Sequence, residues 1–260
     1  MSFAPVLASS RLAQSYLQQL LTGDRESVRN LVEKALSTGM QPGVMLSEIV
    51  WPTMETIQAM FKEDRVTAMQ MNLATRLNRQ TADQLSAKLP MAEKNGRKVL
   101  IICGDAEPEE LGGQITADLF ESAGYTVRFG GGGVPNDEIL KMLGDFRPEL
   151  LIMFATLPSG VPTVRKLIDY LRDVNSCPDM QVMCCGGIYK RAEGLAEEIG
   201  ADLYACDAAT AVDVAEKQRE RRASLDQQTV GRMRRIKKAA NRRAGRDDVR
   251  DDSMPIAEAA

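Results

Sequence analysis

The chain is predicted to be an α/β protein, with a small all-α helical bundle followed by a five-stranded, parallel, doubly wound sheet. Three observations predict this. Residues 5–90 place apolar side chains at helical spacing and show little strand character. A polar stretch containing Pro and Gly, PMAEKNGR at 90–97, then interrupts the pattern. Beyond it, short apolar runs alternate five times with amphipathic helical segments, as in a parallel sheet covered on both faces.

In the first part, Leu12, Tyr16, Leu20 and Leu21 follow a three-to-four spacing, as do Val28, Leu31, Val32 and Leu36. Asp24, just after Gly23, is placed to cap the second of these helices. Gly39 and Pro42-Gly43 mark a break. A helix over 44–61 holds the only tryptophan, Trp51, and a last one runs from about 67 to 89. In the second part, strands are expected at 98–103, 125–129, 149–155, 181–185 and 202–205, with helices at 112–123, 135–145, 161–174 and 190–199. The expected organisation is therefore a bundle over 1–90, a linker over 91–97, a sheet domain over 98–215, and a basic, partly disordered tail over 216–260.

Composition narrows the chemistry. The chain has no histidine, which removes serine and cysteine triads and the commonest general base near neutral pH. Its five cysteines form no CxxC pair, so no zinc set stands at ligand spacing, and no metal ligand or catalytic residue is nominated. No apolar run approaches the ~20 residues that span a bilayer, and the N-terminus lacks a basic start with an apolar core. A cytoplasmic protein with no membrane contact is expected. Residues 217–250 hold 13 Lys or Arg against 4 Asp or Glu, an excess of nine, so with a total of −3 the remainder carries −12. This stretch reads as a solvated tail or as a basic arm making weak nucleic-acid contact, although no aromatic residue interleaves it.

The motif that organises the second part is KVLIICGDAEPEELG, 98–112: a buried strand, a polar loop, and a helix opening near Gly112. Ligands of open parallel sheets sit beyond the carboxyl ends of strands where the strand order reverses, so 104–111 is the first stretch to inspect. Glu107, Glu109 and Glu110 have two readings, as acids complementing a helix N-terminus or as a ligand-binding group. Gly130 to Gly133 reads as a flexible loop, since it lacks the lysine and serine of a phosphate loop.

The order of these parts resembles the cobalamin-binding modules, a helical cap plus a Rossmann-like (flavodoxin-like) domain, found in methionine synthase, corrinoid methyltransferase proteins and light-sensing cobalamin repressors. In the cap the likeness rests on GDRESVRNLVEKALSTG, Pro52-Thr53-Met54 and FKEDRVTAMQMNLATRL. In the sheet domain it rests on EPEELGG at 107–113, ESAGYTV at 121–127, VP at 134–135, CGG at 185–187 and IGADLYACDAATAV at 199–212. The resemblance implies a cobalamin cofactor. Its Asp/Glu-x-His-x-x-Gly loop falls on Glu107, Glu109 and Gly112, with Glu109 where the histidine would be. The hydroxyl position after the third strand falls on Phe154-Ala155-Thr156, which puts Phe154 in place of serine. Gly186 and Gly187 match the glycines after the fourth strand, while Phe61, Met71 and Asn72 take the cap positions over the cofactor, the last two replacing a Glu-His pair.

Three functions follow from this. The first is a cobalamin-type sensor or regulator that binds without a histidine ligand, not an autonomous enzyme. The second is a corrinoid methyl carrier for a methyltransferase partner. The third is a cofactor-free module acting through an unidentified protein partner or through the basic tail.

Overall fold

The computed structural model describes residues 4–224 apart from 176, together with 240. Its helical part comprises α1 (Ala4–Thr22), α2 (Arg25–Ser37), α3 (Pro42–Met45), α4 (Trp51–Lys62) and α5 (Ala68–Ser86). The Asp24 carboxylate accepts from the Glu26 and Ser27 amides and starts α2 as expected. Thr67 and Gln70 form a reciprocal capping box that starts α5. The single helix expected over 44–61 begins earlier, at Pro42, and runs through a π-helical turn, Leu46–Val50. Asn78 pins that turn by donating to the Val50 carbonyl while accepting from the Tyr16 hydroxyl at 2.7 Å. Both side chains are fully buried, so each needs the other's hydrogen bond.

After the polar stretch the chain forms β1 (Lys98–Cys103), α6 (Glu107–Ser122), β2 (Thr126–Gly131), α7 (Asn136–Phe146), β3 (Leu150–Phe154), α8 (Val161–Val174), β4 (Gln181–Cys185), α9 (Gly187–Arg191), α10 (Leu195–Glu198), β5 (Leu203–Ala205) and α11 (Ala208–Lys217). All pairings are parallel, and the strand order is β2-β1-β3-β4-β5. The order reverses between β1 and β3, so the crevice beyond their carboxyl ends is the expected ligand position.

Three local expectations are corrected. α6 starts at Glu107, not near Gly112, because Pro108 at a first-turn position needs no amide partner. The helix expected over 190–199 is two short ones, split at Gly194, which takes a positive φ of 80°. Gly130 and Gly131 are strand, not loop, and the β1–β2 register shifts beside them, between Ile101 and Ile102.

The two faces of the sheet bury different cores. Val99, Ile101, Ile152, Phe154, Met183 and Cys185 face α6, α11 and the helical bundle, and they join Trp51, Met54 and Leu46 in one continuous apolar cluster. Leu100, Ile102, Met153, Ala155, Val182 and Cys184 face α7, α8 and the short helices. The bundle therefore packs directly on the sheet domain. No helix among the described residues is long and apolar enough to cross a membrane.

Candidate functional site

The carboxyl ends of β1, β3 and β4 bring together most of the residues nominated from sequence. Glu109, in the first turn of α6, is only 3% exposed. Its Oε1 accepts from the Thr156 amide at 2.6 Å, the Leu157 amide at 2.9 Å and the Thr156 hydroxyl at 3.2 Å. A buried carboxylate is costly unless it is hydrogen-bonded, and these three donors compensate it. On its other side the carboxylate closes on Gly104, where a Cβ would overlap it. Glu109 thus spans from the β1–α6 connection to the β3–α8 connection.

Gly112 lies one turn further along α6 and opens a notch in the helix surface. The Phe154 ring fills that notch so closely that a Cβ at 112 would collide with it and would approach the Trp51 indole to 2.8 Å. Trp51 and Phe154 meet edge to face, with centroids 5.3 Å apart and planes at 81°, a geometry worth ~0.5–1.5 kcal/mol beyond area burial. The Trp51 Nε1 is buried with no hydrogen-bond partner, so this junction retains one uncompensated polar atom.

Gly186 follows β4 with φ 111°, and a Cβ there would overlap the Ala155 carbonyl, so two features require glycine. A Cβ on Gly187 would meet both Glu55 Oε1 from α4 and Arg191 Nη1 at 3.0 Å. Arg191 donates to the Thr156 carbonyl. Burial raises the Glu55 carboxyl above its ordinary range, and Lys190 and Arg191 oppose that shift. The Cys103 thiol at the end of β1 is pushed up to about 12, chiefly by burial and then by Glu110 and Glu109. It is therefore a packing group and not a thiolate.

Beside this rim, on the α7–α8 face, opens a cavity of about 490 Å³. Ile102, Met153, Ala155, Ile139, Val164 and Leu167 form its apolar floor. Asp105, Glu109, Asn136, Ser159 and Thr163 form its polar mouth. The volume is in the range of small-molecule sites, and the place is the switch point of the sheet.

Glu109, Gly112, Phe154, Thr156, Gly186 and Gly187 therefore share one rim. Glu107 is exposed and contributes its carbonyl to Arg79. Phe61 (41% exposed) sits at the far end of α4, about 15 Å along the helix from Trp51 by helical rise. Asn72 is exposed and Met71 is partly buried against the bundle core. The α4 residues over the rim are Trp51 and Glu55 instead. Sequence reading missed Glu55, Arg191 and the cavity mouth, and only the position of Arg191, four residues after Gly187, hinted at a role.

Residues 12–86 match the B12 binding domain family. The chain is 21% identical over 208 residues to dimethylamine corrinoid protein 1 of Methanosarcina acetivorans, covering 79% of this chain and 96% of that one. It is 25% identical over 214 residues to a corrinoid protein of Desulfitobacterium hafniense, covering 77% and 94%. Its fold is that of the monomethylamine corrinoid protein of Methanosarcina barkeri, with a TM-score of 0.70 at 17% identity over 79% of this chain and 97% of that one. The family match thus falls on the helical part, while over most of its length the chain is similar to proteins named as corrinoid proteins and shares the fold of one, a helical bundle preceding a Rossmann-like domain.

Proposed function

We propose that this protein binds a cobalamin-type corrinoid and carries it for a methyl-transfer system, working with a separate methyltransferase protein. The observation that carries the reading is the match, over 94–96% of their own lengths, to relatives named as corrinoid proteins. The sensor or regulatory role that the sequence put first gains no support from these relatives, and the methyl-carrier alternative accounts for them better. Nothing supports a nucleic-acid contact. Within the described part of the basic segment, Arg219 pairs with Glu216, Arg221 with Glu197, and Arg222 donates to the Asp179 carbonyl. The rest of 217–250 lies outside the described residues.

The residues fit the cofactor at its periphery. The cavity offers an apolar floor for a flat heterocycle and, at its mouth, Asp105, Asn136, Ser159 and Thr163 for a sugar-phosphate. The position after β3 was expected to matter because Phe154 stands in place of serine. Its ring points to the cap side, against Gly112 and Trp51, while the small Ala155 lies over the cavity. Gly186 and Gly187 let the turn after β4 pack closely against the Ala155 carbonyl, Glu55 and Arg191. We assign Gly112, Thr156, Gly186 and Gly187 to the rim beneath the corrinoid, with Glu107 at its outer edge; Phe61, Met71 and Asn72 lie away from this rim, and Trp51 and Glu55 are the α4 residues that face it. A bound corrinoid supplies a metal centre able to accept and pass on a methyl group. This chain supplies no imidazole to that metal, so its work is to hold the ligand and exclude water.

The test mixes purified full-length protein with hydroxocobalamin, desalts it, and then adds a methyltransferase acting on methylated amines. Retained colour at about one corrinoid per chain, with methyl groups exchanged, is the expected result. No retained corrinoid overturns the reading, and retention without exchange returns the sensor role. The same reading keeps the protein in the cytoplasm, which fractionation of producing cells checks.

A further inference from the structure

We infer that Glu109, at the position where the resemblance places a metal-binding histidine, is a strut that shapes the cavity mouth and so positions a ligand's nucleotide-bearing tail. This rests on the corrinoid reading above and deepens it. A carboxylate oxygen able to reach a metal needs a free lone pair directed outward. Glu109 Oε1 instead receives three donors from one turn of chain, Thr156 N, Thr156 Oγ1 and Leu157 N. Its Oε2 lies against Gly104. The side chain is turned inward and is nearly inaccessible.

What this arrangement does is mechanical. Gly104 and Asp105 form one wall of the cavity mouth, Ser159 and Gly160 the other, and Glu109 itself lines the space between them. The two walls belong to connections 47 residues apart in sequence. Among the bonds joining them, the Gly104 amide also donates to the Phe154 carbonyl at 3.2 Å. Arg191 holds the same turn from the opposite side by donating to the Thr156 carbonyl. Thr156 is therefore gripped at its amide, hydroxyl and carbonyl, and the width of the mouth follows from Glu109's reach. A ligand part that enters the cavity depends on that width, whereas a part that rests only on the rim does not. The strut thus favours complete corrinoids bearing a nucleotide over cobinamide, which lacks one.

The experiment compares wild type, Glu109→Ala and Glu109→Gln. In ligand-free protein, amide exchange at Thr156 and Leu157 should speed at least about tenfold in Glu109→Ala. Glu109→Gln, which keeps an acceptor oxygen, should restore most of the protection. Cobalamin should bind Glu109→Ala about tenfold more weakly, a difference of ~1.4 kcal/mol, while cobinamide affinity stays within about twofold. The visible spectrum of bound cobalamin should be the same in wild type and Glu109→Gln. Unchanged amide exchange overturns the strut, and a spectrum altered in Glu109→Gln shows a metal-bound carboxylate and also overturns it. Equal losses for cobalamin and cobinamide overturn the tail-positioning role. Wild type that binds neither corrinoid overturns the function proposed above together with tail positioning, and the exchange data still decide whether the strut exists.

Discussion

The two sides of β3 make an instructive contrast. Phe154 and Ala155 are neighbours whose side chains, by the two-residue period of a strand, point to opposite faces of the sheet. On the Phe154 side, a large ring enters the Gly112 notch, meets Trp51, and joins the cap to the sheet in one apolar core. On the Ala155 side, a methyl group leaves a cavity of about 490 Å³ open. One side of the strand secures the architecture and the other leaves room for a ligand, so stability and binding should be separable by single substitutions.

The strongest challenge to this division is Phe154→Ala. Removing a fully buried aromatic costs about 3–5 kcal/mol, which for a chain of this size should lower the thermal midpoint by roughly 10 °C. Adding Gly112→Ala to Phe154→Ala should then cost much less than Gly112→Ala alone, because the methyl group enters vacated space. If the two losses simply add, the notch is not where the ring sits. The converse probe is Ala155→Val. Its extra methyl groups point toward open volume, so thermal stability should move by no more than about 1 kcal/mol. Corrinoid retention after desalting should nevertheless fall about tenfold. A variant that loses stability but keeps the ligand would reverse the assignment of the two sides.

The smallest effect concerns a flaw on the cap side. Asp118 on α6 has a buried Oδ2 without a partner. Its carboxyl is raised to about 6, first by burial and then by Glu121 and Asp83, with Ser86 opposing. An acid with a raised folded-state pKa favours folding when protonated. That contribution is complete below the unfolded value of 3.8 and is lost as pH rises through about 6. Discounted for partial exposure, the loss is ~1 kcal/mol. Wild type should therefore be less stable at pH 8 than at pH 5 by this amount relative to Asp118→Asn, as measured by thermal melts at the two pH values.

The fold was legible because its signals are periodic: apolar residues recur at helical spacing before residue 90 and as alternating strands after 98. Boundaries failed where a single residue overrides the pattern, as Pro108 does at the start of α6 and Gly194 between α9 and α10. The rim was partly legible, since motif spacing brought Glu109, Gly112, Thr156 and Gly186 forward. The direction of Glu109 was not. An acid in a first helical turn reads the same whether it points outward to a ligand or inward to backbone amides. Phe61, Met71 and Asn72 were placed by analogy of spacing, and nothing in one sequence reports that α4 presents its first turns, not its last, to the sheet. The cavity was illegible because its lining comes from three separate connections, β1–α6, β2–α7 and β3–α8.

The anchoring of residues 218–223 has a practical consequence. The Gln181 amide group donates to the Gln218 and Arg221 carbonyls, and the Asp202 carboxylate accepts from the Ala223 amide. Gln181 begins β4, so the chain is fastened at the amino-terminal ends of the strands, opposite the carboxyl ends where the cavity opens. A fluorophore attached within 218–223 would then sit at the rear of the molecule. A surface gripping the protein there would leave the strand ends and the cavity free.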